Sequence, residues 1–182
     1  MEADEILVWR WKKGDSDAFD ALYEKYKNIA LRTAWLICKN QADSEDVVQE
    51  TFVKCHLHIH ELRKEKEFKA WMLKILVRCS WQFLKKKNRE VADDQVEVHF
   101  QAKEIPGILD YELRKEREKE IFSSVQRLSD KHRIVIILYY YDELSIKEIA
   151  KVMGCREGTV KSRLYSARNQ LKSILEGEGL YD

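Results

Sequence analysis

The sequence predicts an all-α protein made of two small helical domains joined by a flexible acidic linker. Only one proline and six glycines occur among its 182 residues, and runs with the alternation typical of strands are nearly absent. Apolar side chains instead recur every three or four residues, the spacing that places them on one face of a helix. An uneven distribution of charge then separates the two domains.

The boundary between the domains is indicated by charge. Residues 1–89 carry 18 basic and 14 acidic side chains, whereas residues 90–112 carry one basic and seven acidic side chains. This acidic stretch also contains the single proline, Pro106, followed by Gly107, a composition typical of a linker. We therefore predict domains at residues 1–89 and 113–182. The net charge of +1 does not argue against nucleic acid, because the acidic excess is confined to the linker.

Four helices are predicted in the N-terminal domain. The first is short, near Asp4–Lys13, the second starts with Asp15 as its N-cap, the third runs from a cap at Asp43 to about His60, and the fourth runs from about Phe68 through Lys87. The first helix offers Ile6, Leu7, Trp9 and Trp11 for burial. Aromatic side chains at helical spacing in the second indicate a packed core rather than a cofactor site.

The third and fourth helices are predicted to carry opposite charges. The first two turns of the third helix contain Asp43, Glu45, Asp46 and Glu50. Acidic side chains there complement the helix dipole. One face of the helix, which also suits docking on a basic partner, is shared by Asp46, Gln49, Glu50 and Val53. The fourth helix contains Lys69, Lys74, Arg78, Lys85, Lys86, Lys87 and Arg89 among Trp71, Trp81 and Phe83. Cations and rings in this mixture suit single-stranded nucleic acid, and a solvated basic helix over an aromatic core is the other interpretation.

The most informative segment is Ser145–Arg168, which has the pattern of a helix-turn-helix. Ser145 and Glu148 form a capping box, and Gly154 stands where the chain leaves the first helix. The apolar residues that would pack the two helices together are Ile149, Ala150, Met153, Val160 and Leu164. Such a motif places its second helix in the major groove of DNA.

The second helix of this motif offers polar and basic side chains for DNA. They are Arg156, Thr159, Lys161, Ser162, Arg163, Tyr165, Ser166 and Arg168. Hydroxyl groups can hydrogen-bond phosphates or bases, while Arg and Lys neutralise phosphates or bind guanine edges. An ordinary amphipathic helix with a solvated basic face is the alternative, and the coincidence of turn, cap and small residue favours DNA binding.

These segments together resemble the bacterial sigma-70 family, and specifically its small extracytoplasmic-function (ECF) group with only two conserved domains. The segments DAFDALYEKY, DSEDVVQETFVK and FKAWMLKILVRCSWQFLKKK are similar to region 2 of that family. The segment LSDKHRIVIILYYYDELSIKEIAKVMGCREGTVKSRLYSARNQL is similar to region 4. The resemblance covers most of the chain apart from the linker and the two ends.

The resemblance implies contacts for each step of promoter recognition. The clamp helices of the core RNA polymerase β′ subunit would be bound by Asp43, Glu45, Asp46, Gln49 and Glu50. The melted non-template strand of the −10 element would be bound by the loop at Glu61–Glu67 and by Lys74, Arg78, Trp81, Lys85, Lys86 and Lys87. The helix Gly158–Leu171 would bind the −35 element as duplex promoter DNA. The polymerase β flap and an anti-sigma factor, often membrane-anchored, are further implied partners.

Other functional classes find little support in the sequence. No signal peptide and no apolar stretch long enough to span a bilayer are present, so we expect no direct membrane insertion. The four cysteines form no C-x-x-C pair and are expected to be reduced thiols in a cytoplasmic protein. Because nucleotide-binding and hydrolase motifs are missing, we predict no catalytic residues and no cofactor.

Two alternatives stay open at this point. His56 and His60 lie four residues apart, with His58 between them, and could meet on one helix face as zinc ligands. No second ligand pair accompanies them, so we predict no metal site and interpret the histidines as a polar helix end. The alternative function is a stand-alone helix-turn-helix regulator that binds an operator as a dimer without RNA polymerase.

Overall fold

The computed structural model describes residues 2–93 and 121–177, with side chains through residue 86 in the first range. Both ranges are helical and contain no strand, which confirms the predicted fold class. The helices are α1 (Asp4–Lys12), α2 (Ser16–Cys38), α3 (Gln41–His58), α4 (Phe68–Asp93), α5 (described over 121–126), α6 (Asp130–Ile136), α7 (Ile146–Met153) and α8 (Glu157–Gly177). No helix in these ranges is both long and apolar enough to cross a membrane.

Helices α1 to α4 pack into a bundle in which α2 contacts the other three. The predicted cap of α2 is confirmed, because Asp15 Oδ1 accepts from the backbone N–H of Asp17 at 3.0 Å. Large apolar side chains from three helices fill the centre: Leu22, Ile37, Val47, Phe68, Met72 and Leu76. Helix α4 continues to Asp93, so the first four residues of the predicted linker are helical. Residues 94–112 lie outside the described ranges.

One local prediction for this bundle is wrong, and another is confirmed only for Leu7 and Trp11, which are buried. Asn40 caps α3 instead of Asp43, because Asn40 has an extended backbone (φ −145°) and its side-chain oxygen accepts from the Asp43 N–H at 3.0 Å. A capping residue three positions earlier therefore starts the helix sooner. In α1, Ile6 and Trp9 are 49% and 56% exposed, whereas Val8 is fully buried. Apolar residues occur on several sides of α1, and only the side that meets the bundle is covered.

Helices α5 to α8 form the second group, and they contact the first group along α2 and α4. Helix α4 packs against α7, while α2 packs against α6 and against the π-helical turn Ile137–Tyr141 that follows α6. Thr33 Oγ1 donates to Asp142 Oδ1 at 2.9 Å, and Lys69 Nζ donates to the Asp142 carbonyl oxygen at 2.6 Å. Arg133 Nη2 donates to the Ile37 carbonyl oxygen at 3.2 Å. Buried polar contacts thus join the two domains directly.

Asp142 is the acidic group at the centre of this contact. Its side chain is buried, and burial raises its pKa to about 6 although the Thr33 hydrogen bond and the charges of Lys69 and Arg32 act in the opposite direction. Its second carboxylate oxygen, Oδ2, has no hydrogen-bond partner within the described part of the chain. Asp142 is therefore a buried titratable group within the contact between the two domains.

Candidate nucleic-acid interface

Helices α7 and α8 form the helix-turn-helix that the sequence predicts. The Ser145 N–H donates to Glu148 Oε2 at 2.9 Å and the Glu148 N–H donates to Ser145 Oγ at 3.3 Å, which completes the capping box. Gly154 ends α7 with φ of +62°, a left-handed conformation that glycine adopts without strain. All five residues predicted to pack the pair together are buried: Ile149, Ala150, Met153, Val160 and Leu164.

Most of the surface of α8 is open to solvent. Val160, Leu164 and Ala167 form its one buried face, against α6 and α7. The predicted DNA contacts fall in two rows on the remaining surface, one with Thr159, Ser162, Arg163 and Ser166 and the other with Lys161, Tyr165 and Arg168. Arg156 lies exposed just before the helix, and Tyr165 is 69% exposed. A helix with this convex open surface matches the width of the major groove.

Two arginines of α8 are held by neighbouring side chains. The Arg168 guanidinium lies 5.4 Å from the ring centre of Tyr139 and 5.5 Å from that of Tyr140, an attractive cation–π arrangement. Arg163 Nη1 donates to Cys155 Sγ at 3.8 Å. Both cations are therefore oriented by the protein before any ligand binds.

Helix α4 carries a narrow basic strip. Its members lie on one side of the helix because they are four, three and four residues apart. They are Lys74, Arg78, Trp81 and Lys85. Arg78 and Lys85 are exposed, whereas the other two are half-buried. Lys86 is exposed beside the strip, and the side chain of Lys87 lies outside the described part of the structure. The strip is narrow because α2, α3 and α7 cover the other sides of α4.

The acidic residues of α3 lie beside an apolar groove. Of the predicted set, Glu45, Asp46 and Gln49 are exposed, while Asp43 and Glu50 are half-buried. A groove of about 650 Å³ between α2 and α3 is bordered by Glu45 and Gln49 and lined mainly by apolar side chains. Val53 and Leu57 are 52% and 68% exposed in this groove. The sequence placed Val53 on the docking face but missed Leu57, because Leu57 falls among the histidines of the helix end.

The loop between α3 and α4 is held firmly against α1. Lys12 Nζ donates to the Leu62 carbonyl oxygen at 2.5 Å and to Glu65 Oε1 at 2.7 Å. The hydrogen bond from Lys12 lowers the pKa of Glu65. The Leu62 side chain is buried, which fixes the middle of the loop. Three cations of the loop stay exposed: Arg63, Lys64 and Lys66.

The histidines of α3 are engaged in separate contacts. The His56 ring lies 5.4 Å from the ring of Phe19 and 6.0 Å from that of Trp11. His58 Nδ1 lies 2.8 Å from Glu61 Oε1. In the parts of the chain that the structure describes, no group of three or more His, Cys, Asp or Glu side chains is placed to hold a metal ion.

Comparison with known proteins identifies the family. Residues 22–90 match the family model described as Sigma-70 region 2, and residues 118–171 match the one described as Sigma-70, region 4. The ECF RNA polymerase sigma-E factor of Escherichia coli (strain K12) is 31% identical over 183 residues, which cover 95% of this chain and 94% of that relative. The chain belongs to the ECF group of RNA polymerase sigma factors.

Further relatives of this ECF sigma factor span both of its domains. The ECF RNA polymerase sigma factor SigW of Bacillus subtilis (strain 168) is 30% identical and aligns over 90% of this chain and 92% of its own length. The RNA polymerase sigma-H factor of Pseudomonas aeruginosa is also 30% identical, over 97% of this chain and 95% of its own length. The alternative of a stand-alone regulator is therefore not favoured.

Two solved structures share the fold of this sigma factor. The sigma factor RpoE of Bartonella quintana, in a co-crystal structure with the anti-sigma factor NepR, has a TM-score of 0.74 and 26% identity over 87% of this chain and 96% of that chain. CnrH, in complex with the cytosolic domain of CnrY, has a TM-score of 0.70 and 23% identity over 97% of this chain and 99% of that chain. As an ECF sigma factor, the protein acts in transcription initiation by RNA polymerase at promoters.

Proposed function

We propose that this sigma factor binds core polymerase through α3, the upstream promoter duplex through α8, and the melted −10 strand through α4 and the loop before it. The observation that carries the proposal is the capped helix-turn-helix, whose second helix has an open polar and basic face. Its domains are residues 1–89 and 113–182, joined by the acidic linker 90–112. The linker would pass through polymerase near the RNA exit path.

The −35 element would be bound as duplex by α8. Arg156 and Lys161 are exposed at the start of the helix, the part of a recognition helix that meets base edges. Arginine pairs in a bidentate way with guanine, while lysine neutralises phosphate. Thr159 and Ser162 lie in the adjacent row and can donate to phosphate or base oxygens. Tyr165 is exposed one turn further on and would contact the backbone.

The −10 element would be bound as a single strand along α4. Opening base pairs costs a few kcal/mol, and each base stacked on an aromatic side chain returns about 1–3 kcal/mol. Arg78 and Lys85 lie about 10 Å apart along the strip and can each neutralise a phosphate, with the half-buried Trp81 between them. The strip can thus stabilise a strand only after it has separated from its complement.

Core polymerase would be bound by the acidic surface of α3 together with the groove beside it. A helix laid in the groove would meet apolar side chains such as Val53 and Leu57 along its centre. Basic residues on the same helix would meet Glu45 and Gln49 at the edge of the groove and Asp46 on the exposed surface next to it. The β′ clamp helices are the partner that we assign to this surface, and the β flap is assigned to the second domain.

Regulation by an anti-sigma factor is part of the proposal. The Bartonella quintana RpoE that aligns with both domains of this chain was crystallised with such a protein. In this chain the two domains already contact each other through Thr33, Lys69 and Asp142, and an inhibitor that binds both would hold them closed. The sigma factor would work in the cytoplasm, where polymerase meets DNA, and would catalyse no reaction itself.

Transcription with purified components tests this function. The chain is mixed with bacterial core RNA polymerase and fragmented genomic DNA of its host, and the transcripts are sequenced. We expect discrete start sites with shared upstream motifs that disappear when the chain is omitted. If the chain failed to bind core polymerase and bound an operator tightly on its own, the proposed function would be wrong and the stand-alone regulator would be supported.

Charge-reversal variants distinguish a specific contact at α3 from a general effect of protein charge on the binding of core polymerase. Asp46→Arg places a cation in the proposed contact with a basic partner and is expected to lower core affinity by about ten-fold or more. Asp20→Arg makes the same change at an exposed position of α2 outside the groove and should bind core like the wild type. Equal losses in the two variants would contradict the assignment of α3.

A further inference from the structure

The carboxyl end of α2 receives its last hydrogen bonds from the second domain. Gln126 Nε2 donates to the Leu36 carbonyl oxygen at 3.0 Å, and Arg133 Nη2 donates to the Ile37 carbonyl oxygen at 3.2 Å. Lys39 Nζ, just after α2, donates in return to the Gln126 carbonyl oxygen at 2.7 Å. Because the final carbonyl groups of a helix have no partner inside that helix, the second domain acts as a cap for a helix of the first.

The start of α4 is bound to the helix-turn-helix in the same arrangement. Lys69 Nζ donates to the Asp142 carbonyl oxygen at 2.6 Å, and Lys151 Nζ of α7 lies 3.0 Å from Glu67 Oε2. The hydrogen bond from Lys151, with a smaller contribution from Lys64 at 4.0 Å, lowers the pKa of Glu67. Segments to which we assign the −10 strand and the −35 duplex therefore bind each other in the free protein.

The middle of this contact is shielded from water. Thr33 and Asp142 are 1% and 2% exposed, and a hydrogen bond joins their side chains. At the edge, the rings of Trp35 and Phe122 stack with their centres 4.4 Å apart. Buried apolar side chains of both domains form one continuous cluster. The two domains are therefore packed like parts of one core, and separating them exposes both apolar surface and buried polar groups.

An arrangement this compact cannot place α4 and α8 on their two promoter elements together. A compact unit of about 150 residues has a radius of gyration of about 15 Å, which corresponds to a diameter of about 40 Å. The −35 and −10 elements are about 25 base pairs apart, or about 85 Å along B-DNA. The domains must therefore separate before both elements are occupied, and core polymerase, to which we assign contacts with both domains, has to hold them apart.

We propose that the contact between the domains is autoinhibitory: the free sigma factor holds itself closed, and core polymerase must open it before both promoter elements are bound. The proposal rests on the function assigned above to α4 and α8. It differs from control by an anti-sigma factor, because closing needs no second protein. The apparent affinity for core polymerase is then the intrinsic affinity multiplied by the fraction of molecules that are open.

Asp142 sets the strength of this contact. Its Oδ1 accepts from Thr33, whereas Oδ2 has no hydrogen-bond partner within the described part of the chain. The charged groups that face it are Arg32 of α2 and Lys69 of α4, and Arg32 in turn lies 6.0 Å from the Tyr141 ring centre. These cations only partly offset burial, which raises the pKa of Asp142 to about 6. At neutral pH the ionised carboxylate therefore opposes closing, and a neutral side chain of the same shape would favour it.

Two variants are expected to shift the contact in opposite directions. Thr33→Val keeps the shape of the side chain but removes the donor, so the buried Asp142 loses its hydrogen bond and the closed form is weakened. Asp142→Asn keeps an acceptor for Thr33 and removes the charge, so the closed form is strengthened. Thr51→Val is the matched control, because the buried Thr51 hydroxyl donates to the Val47 carbonyl oxygen at 2.7 Å within α3.

Energy transfer between two dyes and titration with core polymerase test the proposal on the full chain at pH 7.5. The dyes are attached through Asp20→Cys in α2 and Lys172→Cys in α8, both at exposed positions. Cys155→Ser is included in every protein, because Cys155 is the one cysteine of the four that is not buried. Energy transfer in the free chain reports whether the domains are closed, and the titration gives the affinity for core.

We expect high energy transfer in the free wild type and a loss of transfer when core polymerase is added. Thr33→Val should lower the transfer of the free chain and raise core affinity about five-fold. Asp142→Asn should keep the transfer high and lower core affinity about ten-fold. Thr51→Val should match the wild type in both measurements.

Three outcomes would overturn the proposal. In the first, Thr33→Val opens the free chain but leaves core affinity unchanged, so that the contact inhibits nothing. In the second, the free wild type shows the same low transfer as its complex with core. In the third, Asp142→Asn raises core affinity, a result that does not depend on how well Thr33→Val folds. Failure of the proposed function looks different, because the wild type would then bind no core polymerase although energy transfer still reported a closed chain, and the inhibitory role would fall with it.

Discussion

Helices α4 and α8 are both basic, but the rest of the molecule covers them to different extents. Helix α4 contacts α2, α3 and α7, so its exposed cations, Arg78, Lys85 and Lys86, lie on the narrow side that these helices leave open. Helix α8 has a single buried face at Val160, Leu164 and Ala167, and its polar side chains spread over the remaining surface. A narrow strip suits a single strand and a convex open helix suits a groove. Packing, more than basic charge, therefore distinguishes the two kinds of nucleic-acid contact that we propose for these helices.

The largest expected effect comes from truncating the one buried face of α8. Leu164 is 4% exposed, and Leu164→Ala should destabilise the helix-turn-helix by about 2–5 kcal/mol. Binding of the duplex −35 element should be lost, whereas binding of fragments with a separated −10 segment should persist through α4. Denaturant unfolding and gel-shift titration of both fragments measure this. Leu171→Ala, at a half-buried position of the same helix, should have a clearly smaller effect, and equal loss of both activities would show that the two helices do not act separately.

The second prediction concerns Asp142, in the contact between the two domains that covers part of α4 and leaves α8 exposed. Burial raises the pKa of Asp142 from 3.8 to about 6, so the folded protein holds a proton between about pH 4 and pH 6 that the unfolded chain releases. Stability from this group is therefore greatest at low pH and falls as pH rises through that window, by up to about 3 kcal/mol. Asp142→Asn stays neutral and should remove the fall.

Denaturant unfolding of the wild type and of Asp142→Asn at pH 4.5 and pH 7.5 checks this sign. The stability of the variant relative to the wild type should increase with pH. Asp20→Asn, at an exposed position of α2, serves as the control and should show no such trend. Parallel pH profiles for the wild type and Asp142→Asn would mean that the carboxylate is not held in the buried contact.

A third prediction separates base recognition from phosphate binding within α8. Arg156→Ala should cost about 1–3 kcal/mol of duplex affinity and relax the preference at one position of the −35 element. Lys161→Ala should weaken all sequences alike and reduce the slope of affinity against salt by about one. Titrations of −35 variants at several salt concentrations distinguish the two, with Lys172→Ala, exposed near the end of α8, as the control. Similar behaviour of both variants would leave α8 without a base-specific contact.

The smallest effect is expected at the α4 strip. Arg78→Ala should lower affinity for the separated −10 strand only a few-fold and reduce the salt slope by about 0.7, the value for one phosphate on a single strand. Affinity for the intact −35 duplex should not change. Lys13→Ala, an exposed cation in the turn after α1, should leave both unchanged. If Arg78→Ala instead lowered affinity for the duplex and not for the single strand, the assignment of single-strand binding to α4 would be wrong.

The sequence predicted those features whose cause lies within one turn of helix. The capping box of Ser145 and Glu148, the left-handed Gly154 and the Asp15 cap all follow from neighbouring residues, and all are confirmed. Asn40 and Asp43 show the limit of such signals. Both are capping residue types three positions apart, and nothing local decides between them until the backbone conformation is known.

Features made by distant parts of the chain could not be predicted in the same way. The bond between Thr33 and Asp142 joins residues 109 positions apart, and no local pattern announces it. The exposure of Trp9 has the same origin, because the apolar residues of α1 surround the helix and only the bundle determines that Val8 is covered instead. The pocket between α1 and the loop before α4 is likewise formed only where these two distant segments meet.

The π-helical turn at Ile137–Tyr141 determines the direction in which the following residues face. The Asp142 N–H donates to the Ile137 carbonyl oxygen at 3.1 Å, five residues back instead of the usual four. This wider turn carries one residue more than an α-helical turn, which corresponds to a rotation of about 100°. Deleting any one of the five residues would restore an ordinary helix and turn the Asp142 carboxylate away from Thr33. The number of residues in this segment therefore sets the position of the Asp142 carboxylate opposite Thr33.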